Sequence, residues 1–227
     1  MSRKTDFEKF ALTHSNVKEI RAAGMGESPR VVLSALEAAV KHGHAAAVSA
    51  LVPLAEVSST LLEQIVQTFD AAVLKTLPKN CGVVNVEVPL RFIMAYGIED
   101  TKTVEIVRLA RLSNADLTTV AENCLAHHAH KTLELALRKN SNTWVAEQIF
   151  INQWFYCVPL QAEILLRHSK NLKKIDNELR TYNIHGQHQP LAQRFLELLE
   201  EESVRRQHKT LTRATTSTPS PSPRKKM

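Results

Sequence analysis

Between Ser34 and Val52 the apolar positions fall three and four residues apart: Leu36, Ala39 and Val40, then Ala47, Val48 and Leu51, with polar Lys41-His42-Gly43-His44 between the two sets. That spacing places each set on one helical face. A glycine in the break suits the left-handed cap that ends one helix, and the residues after it can open the next. The segment reads as a tight helical hairpin.

The same rhythm recurs along the chain. Leu61, Leu62, Ile65, Val66 and Phe69 lead to Asp70 and a second helix through Val73, Leu74 and Leu77. Pro89 to Ala95 leads, past Asp100, to Val104, Ile106, Val107 and Leu109, and Asp116 to Ala126 leads, past His127-His128-Ala129-His130, to Leu133, Leu135 and Leu137. Trp144 to Phe155 precedes Pro159 to Leu166, and Ile175 to Tyr182 precedes Pro190 to Leu199. Taking His44, Asp70, Asp100 and His130 as the starts of second helices gives steps of 26, 30 and 30 residues. A repeating interval of this size is what stacked hairpins produce, because each needs neighbours to cover its apolar faces. A non-repetitive helical bundle built from short amphipathic helices is the alternative. One stretch departs from the helical period: Val84, Val86 and Val88 alternate with polar residues across Cys81 to Pro89, which predicts an extended connector or a joint between two helical halves.

The run Ala35 to Val52 resembles the paired helices of an ankyrin repeat, with Leu36, Ala39, Gly43, His44, Val48 and Leu51 at the positions that pattern fills. Val88-Pro89-Leu90 with Gly97 is similar to a worn second copy, and Asp116 to Leu137 keeps the apolar spacing without the glycine. The intervals are shorter than the roughly 33 residues of an ankyrin unit, and aspartate-rich hairpin tips are not visible. The resemblance implies an all-α fold of stacked helical hairpins, an ankyrin-like array or a more general α-solenoid.

Composition removes other classes. With 44% hydrophobic and 23% charged residues, the 227-residue chain has enough apolar material to fold, which excludes full disorder. Three cysteines, Cys81, Cys124 and Cys157, are too few for a disulfide framework and point to a reducing compartment. No apolar run reaches the length of a membrane helix, and the charged start Met1 to Lys9 does not read as a targeting segment. An intracellular protein, cytoplasmic or nuclear, is expected. No phosphate-binding glycine loop, GxSxG elbow or HExxH helix occurs.

Charge then splits the chain. The formal net charge is +6, yet no acidic residue follows Glu202, and the segment Ser203 to Met227 holds seven of the 29 basic residues. The remaining 22 face all 23 acidic ones, so the body is near neutral. Three parts follow: an N-terminal helical cap and linker at 1–30, a helical-repeat domain at 31–202, and a basic Ser/Thr/Pro-rich tail at 203–227. The last helix is expected to fade near Lys209 and disorder to begin at about residue 210. Thr218, Ser220 and Ser222 each precede proline, as proline-directed kinase sites do, and phosphates there would offset Arg224, Lys225 and Lys226, themselves a candidate import or nucleic-acid patch.

Two further clusters carry candidate chemistry. Cys124, His127, His128 and His130 crowd one hairpin corner, but a structural zinc site lacks its second pair of ligands, so no metal and no cofactor is expected. Trp144, Phe150, Trp154, Phe155 and Tyr156 concentrate the aromatic content, and Trp144, Trp154 and Tyr156 are the candidate partner-binding residues, with the core as the competing destination. Arg108, Arg111, Lys131, Arg138 and Lys139 share two helices with Glu105 and Glu134 and read as a salt-bridged, solvated face. The functional expectation is a non-enzymatic protein–protein interaction module, a scaffold or adaptor. The alternative is a nucleic-acid-associated protein of a nuclear or viral assembly that uses the basic tail for phosphate contacts.

Overall fold

Ser28 and Pro29 open the best-formed hairpin, and Gly43 turns it. In the computed structural model, which describes residues 3–96, 100–183 and 189–216, helix α3 (Pro29–Lys41) buries Val32, Ala35, Leu36, Ala39 and Val40. Gly43 takes φ +66°; its N–H donates to Val40 O at 3.1 Å and that of His44 to Ala39 O at 2.8 Å. This pair of bonds is a Schellman closure, which satisfies carbonyls the helix end would otherwise orphan. His44 then caps α4 (Ala45–Leu51), its Nδ1 accepting from Ala47 N at 3.2 Å. One histidine thus ends one helix and starts the next.

Of the other predicted starts, Asp70 follows the same logic, and serines cap two further helices. Asp70 accepts from Val73 N at 3.0 Å to cap α6 (Ala71–Thr76), and Ser58 caps α5 (Ser59–Thr68) through Leu61 N at 3.2 Å. Ser113 and Asp116 form a reciprocal capping box at the start of α9 (Asn114–Ala126). Asp100 precedes α8 (Thr101–Leu109), but its buried carboxylate does not cap that helix; Oδ2 accepts from Thr132 N at 2.8 Å, in the first turn of α10 (His130–Lys139). At the end of α9, where glycine is absent, His128 adopts φ +54° and Ala129 N donates to Cys124 O at 3.0 Å. A side-chain-bearing residue in this conformation costs about 1–2 kcal/mol. Because His128 is exposed, His128→Gly is expected to raise stability by about 0.5–1 kcal/mol in urea unfolding, and an unchanged or lower midpoint contradicts this.

Among the described residues the regular elements are all helices, with no strand. It divides into two units, residues 1–142 and 143–227. In the first, α1 (Arg3–Thr13) packs on α3 and α3 on α5, while α7 (Glu87–Tyr96) packs on α9. The second helices form their own series: α2 (Val17–Met25) on α4, α4 on α6, α6 on α8 and α8 on α10. A continuous apolar core runs beneath them, from Phe7 and Ile20 through Leu36, Leu51 and Ile65 to Ile106 and Leu109.

The alternating connector sits inside this unit. Gly82 forms an isolated parallel bridge with Ala110, Arg111 N donating to Gly82 O at 2.8 Å, and Val84 and Val88 are buried. A Cβ on Gly82 would lie 3.1 Å from Val57 O and 3.0 Å from a Leu62 methyl, so the close approach requires glycine. The extended run ends sooner than its alternation predicts, because Glu87, Val88 and Pro89 belong to the first turn of α7, where proline's missing N–H costs nothing.

In the second unit α11 (Val145–Gln153) continues into a 3₁₀ turn at Trp154–Tyr156 and pairs with α12 (Pro159–His168). Helix α13 (Leu172–Asn183) pairs with α14 (Gln189–Thr216), α11 also touches α13, and α12 touches α14. Phe150, Trp154, Leu165, Ile175, Leu179 and Phe195 are buried here. Helix α14 corrects the expected tail. It runs to Thr216, past Lys209 and past the residue-210 onset of disorder, and the 202/203 border lies within it. Arg206 explains part of that reach: its Nη2 donates to Leu166 O at 2.7 Å and its Nε to Glu202 Oε1 at 2.9 Å. Of the net +6, only Arg224, Lys225 and Lys226 follow α14.

Candidate functional site

The aromatic cluster separates by position along α11. Phe150 and Trp154 lie four residues apart and share the inward face; the Trp154 ring meets Phe195 edge-on at 6.2 Å, and Phe150 meets Phe195 at 5.8 Å. Trp154 is 2% exposed and therefore a core residue, which removes it from the expected partner-contacting set. Trp144 and Tyr156 are 55% and 66% exposed. They do not form one patch, because α11 separates them by about 13 Å of helix rise. Tyr156 instead groups with Phe155, whose ring centroid is 4.3 Å away, and exposed Leu160 follows in the first turn of α12. Leu160 carried no sequence signal, since a leucine in a helical first turn is unremarkable without knowledge of which face is covered.

The five bases on α8 and α10 and in the loop between α8 and α9 are not one solvated face. Arg108 pairs with Glu105 and also donates from Nη1 to Leu77 O at 2.8 Å and from Nη2 to Leu74 O at 2.6 Å. Arg111 Nε donates to Asn80 O at 2.7 Å. Lys139 Nζ donates to Val107 O at 2.7 Å, Ala110 O at 2.9 Å and Asn80 Oδ1 at 2.9 Å. Arg108 and Lys139 thus each close the carbonyl end of the preceding second helix, where they also oppose the negative end of the helix dipole, while Arg111 holds the loop after α6. Arg21, on α2, reaches forward instead and donates to Ser49 O in the last turn of α4 at 3.1 Å. Burial, and then the neighbouring Arg108, hold the Lys139 ammonium below its ordinary value. Lys131 and Arg138 remain exposed, and with Lys79 they rim a cleft of about 370 Å³ between α8 and α10.

The histidine corner sits between α9 and α10. Cys124 is fully buried and its thiol is pushed up by burial, with Asp100 adding to the effect. Burial lowers His130, against an opposing pull from Asp100 and with help from His128. No group of three histidine, cysteine or acidic side chains among the described residues is arranged to hold a metal ion. The clefts lined by α3 and α5, by α8 and α10, and by α13 and α14 do not include His127 or His128. No helix among the described residues is long and apolar enough to cross a membrane.

Thr218, Ser220, Ser222, Arg224, Lys225 and Lys226 lie outside the described residues. Searches against protein-family models, curated proteins and solved structures find no match for this chain.

Proposed function

We propose that this chain is a non-enzymatic helical-repeat scaffold, an α-solenoid of short ankyrin-like hairpins that holds protein partners in a reducing, intracellular compartment. The observation that carries the reading is the serial packing of second helices in the first unit. They begin at Val17, Ala45, Ala71, Thr101 and His130, steps of 28, 26, 30 and 29 residues, and each touches the next. Cation clamps from a neighbouring second helix close α4, α6 and α8 in turn, which supports a repeated unit over a chance bundle. The second unit repeats the scheme in miniature, with α11 on α13 and α12 on α14. Such an arrangement leaves one side of each hairpin open for recognition. Three free thiols support the reducing compartment.

Trp144 and the Phe155-Tyr156-Leu160 patch are the partner anchors in this reading, and the Ser/Thr-Pro sites at 218–222 tune or localise the contact. Affinity capture with the intact protein tests it. Trp144→Ala with Tyr156→Ala is expected to weaken a recovered partner by about 30-fold or more, the loss of roughly 2 kcal/mol at a hot spot, while leaving the urea midpoint nearly unchanged. Recovery of no stable protein partner overturns the scaffold reading. Because Arg206 belongs to the folded unit, the tail truncation that addresses nucleic-acid binding removes residues 217–227, and a phosphate-dependent interaction surviving that truncation excludes the tail as its source.

A further inference from the structure

We propose that the cleft between α8 and α10 binds an acidic segment of a partner protein, one whose carboxylates flank an aliphatic side chain. The inference rests on the scaffold reading and assigns it a second, chemically defined contact. Val104 from α8 and Leu135 from α10 supply the half-buried apolar part of the lining. Exposed Lys79, Lys131 and Arg138 stand around it, and none of the three side chains has a hydrogen bond or ion pair to another described residue. Arg108 and Lys139 complete the wall and are fixed in place. Against five cations the lining presents one carboxylate, Glu134, while Glu105 beside it is engaged by Arg108.

The division of labour among these cations selects the ligand. All three N–H donors of Lys139 are spent on Val107 O, Ala110 O and Asn80 Oδ1, so it supplies field rather than direct bonds. Burial, and then the neighbouring Arg108, lower its ammonium from the ordinary value. Direct contact therefore falls to Lys79, Lys131 and Arg138, three separate groups on flexible stems. Dispersed cations fit a string of carboxylates better than a single phosphate, which favours converging donors. Nucleic acid fits less well: the lining contains no aromatic side chain on which a base could stack, and its apolar part asks for an aliphatic residue.

A fluorescein-labelled peptide Glu-Glu-Leu-Glu-Glu-Leu-Glu-Glu, titrated into the full-length protein, is the probe. Saturable binding is expected, weakening as salt rises and falling about tenfold or more in Lys131→Glu with Arg138→Glu, both at exposed positions where folding tolerates change. The glutamine counterpart of the peptide is expected not to bind, and an all-glutamate peptide to bind more weakly for want of the leucines. Lys18→Glu with Lys170→Glu, exposed bases away from the lining, serves as the charge control and is expected to leave binding intact. No saturable binding, equal binding of the glutamine peptide, or an equal loss in the control variant each overturns the proposal. So does tighter binding of a single-stranded RNA oligonucleotide that Lys131→Glu and Arg138→Glu abolish, which would make the cleft a nucleic-acid site. A null titration with aromatic-dependent partner capture intact overturns the cleft alone; failed capture with peptide binding intact overturns the aromatic-anchored scaffold alone.

Discussion

Trp154→Ala is expected to cost the second unit about 3–5 kcal/mol, the range for deleting a fully buried large aromatic side chain. Its indole is 2% exposed and edge-on to both Phe195 and Phe155, so truncation opens a void bordered by aromatic rings that small shifts cannot refill. Trp144→Ala, a few residues earlier and 55% exposed, is expected to change stability by no more than about 0.5 kcal/mol. With only two tryptophans in the chain, the Trp144→Phe variant isolates Trp154 fluorescence. Its emission is expected to be blue-shifted and protected from soluble quenchers until the unit unfolds. Urea unfolding of the two alanine variants, followed by circular dichroism, reads both costs. A Trp154→Ala penalty below about 1 kcal/mol would place the indole at the surface and restore it to the partner-contacting set.

What the sequence made legible was local. His44, Asp70 and Asp100 precede second helices, and His130 opens one, because caps and breaks act within four residues of the backbone they serve. The inward placement of Trp154 was also within reach, since its four-residue spacing from Phe150 is a helical-face signal that Trp144 and Tyr156 do not share. The cation clamps were not legible. Arg108, Lys139 and Arg206 act on carbonyls 29 to 40 residues earlier, and nothing in the flanking sequence distinguishes a clamping base from a solvated one. Asp100 shows the same limit. It occupies an N-cap position for α8, yet burial turns its carboxylate toward α10. Composition likewise underestimated α14, because Arg206 is anchored to Glu202 within the helix and to Leu166 O, 40 residues earlier. The open cleft between α8 and α10 depends on which bases the clamps consume and which they leave, so it became visible only with the structure.

The buried thiols predict an alkaline limit to stability. Burial pushes Cys157 up from 9.0 to about 12, and its Sγ donates to Gln153 O at 3.6 Å, which also favours the protonated form. The folded state therefore holds this proton more tightly than the unfolded state. The contribution is complete below pH 9 and is lost as pH climbs towards 12, at up to about 1.4 kcal/mol per pH unit for this one thiol, because only the unfolded chain ionises in that window. Cys124 and Cys81 shift in the same direction and add to the decline in the first unit. Lys102 and Lys139 shift downward and oppose it, since the unfolded chain keeps those protons longer. Cys157→Ala isolates the thiol. Its urea midpoint is expected to lie slightly below that of the parent at pH 8, for the lost packing of one sulfur, and to fall less steeply from pH 9 upward, so that the two curves converge and cross. Parallel curves across pH 9 to 11 would show that Cys157 ionises as readily in the folded protein as in the unfolded chain, and the burial of its sulfur against Gln153 O would then be wrong.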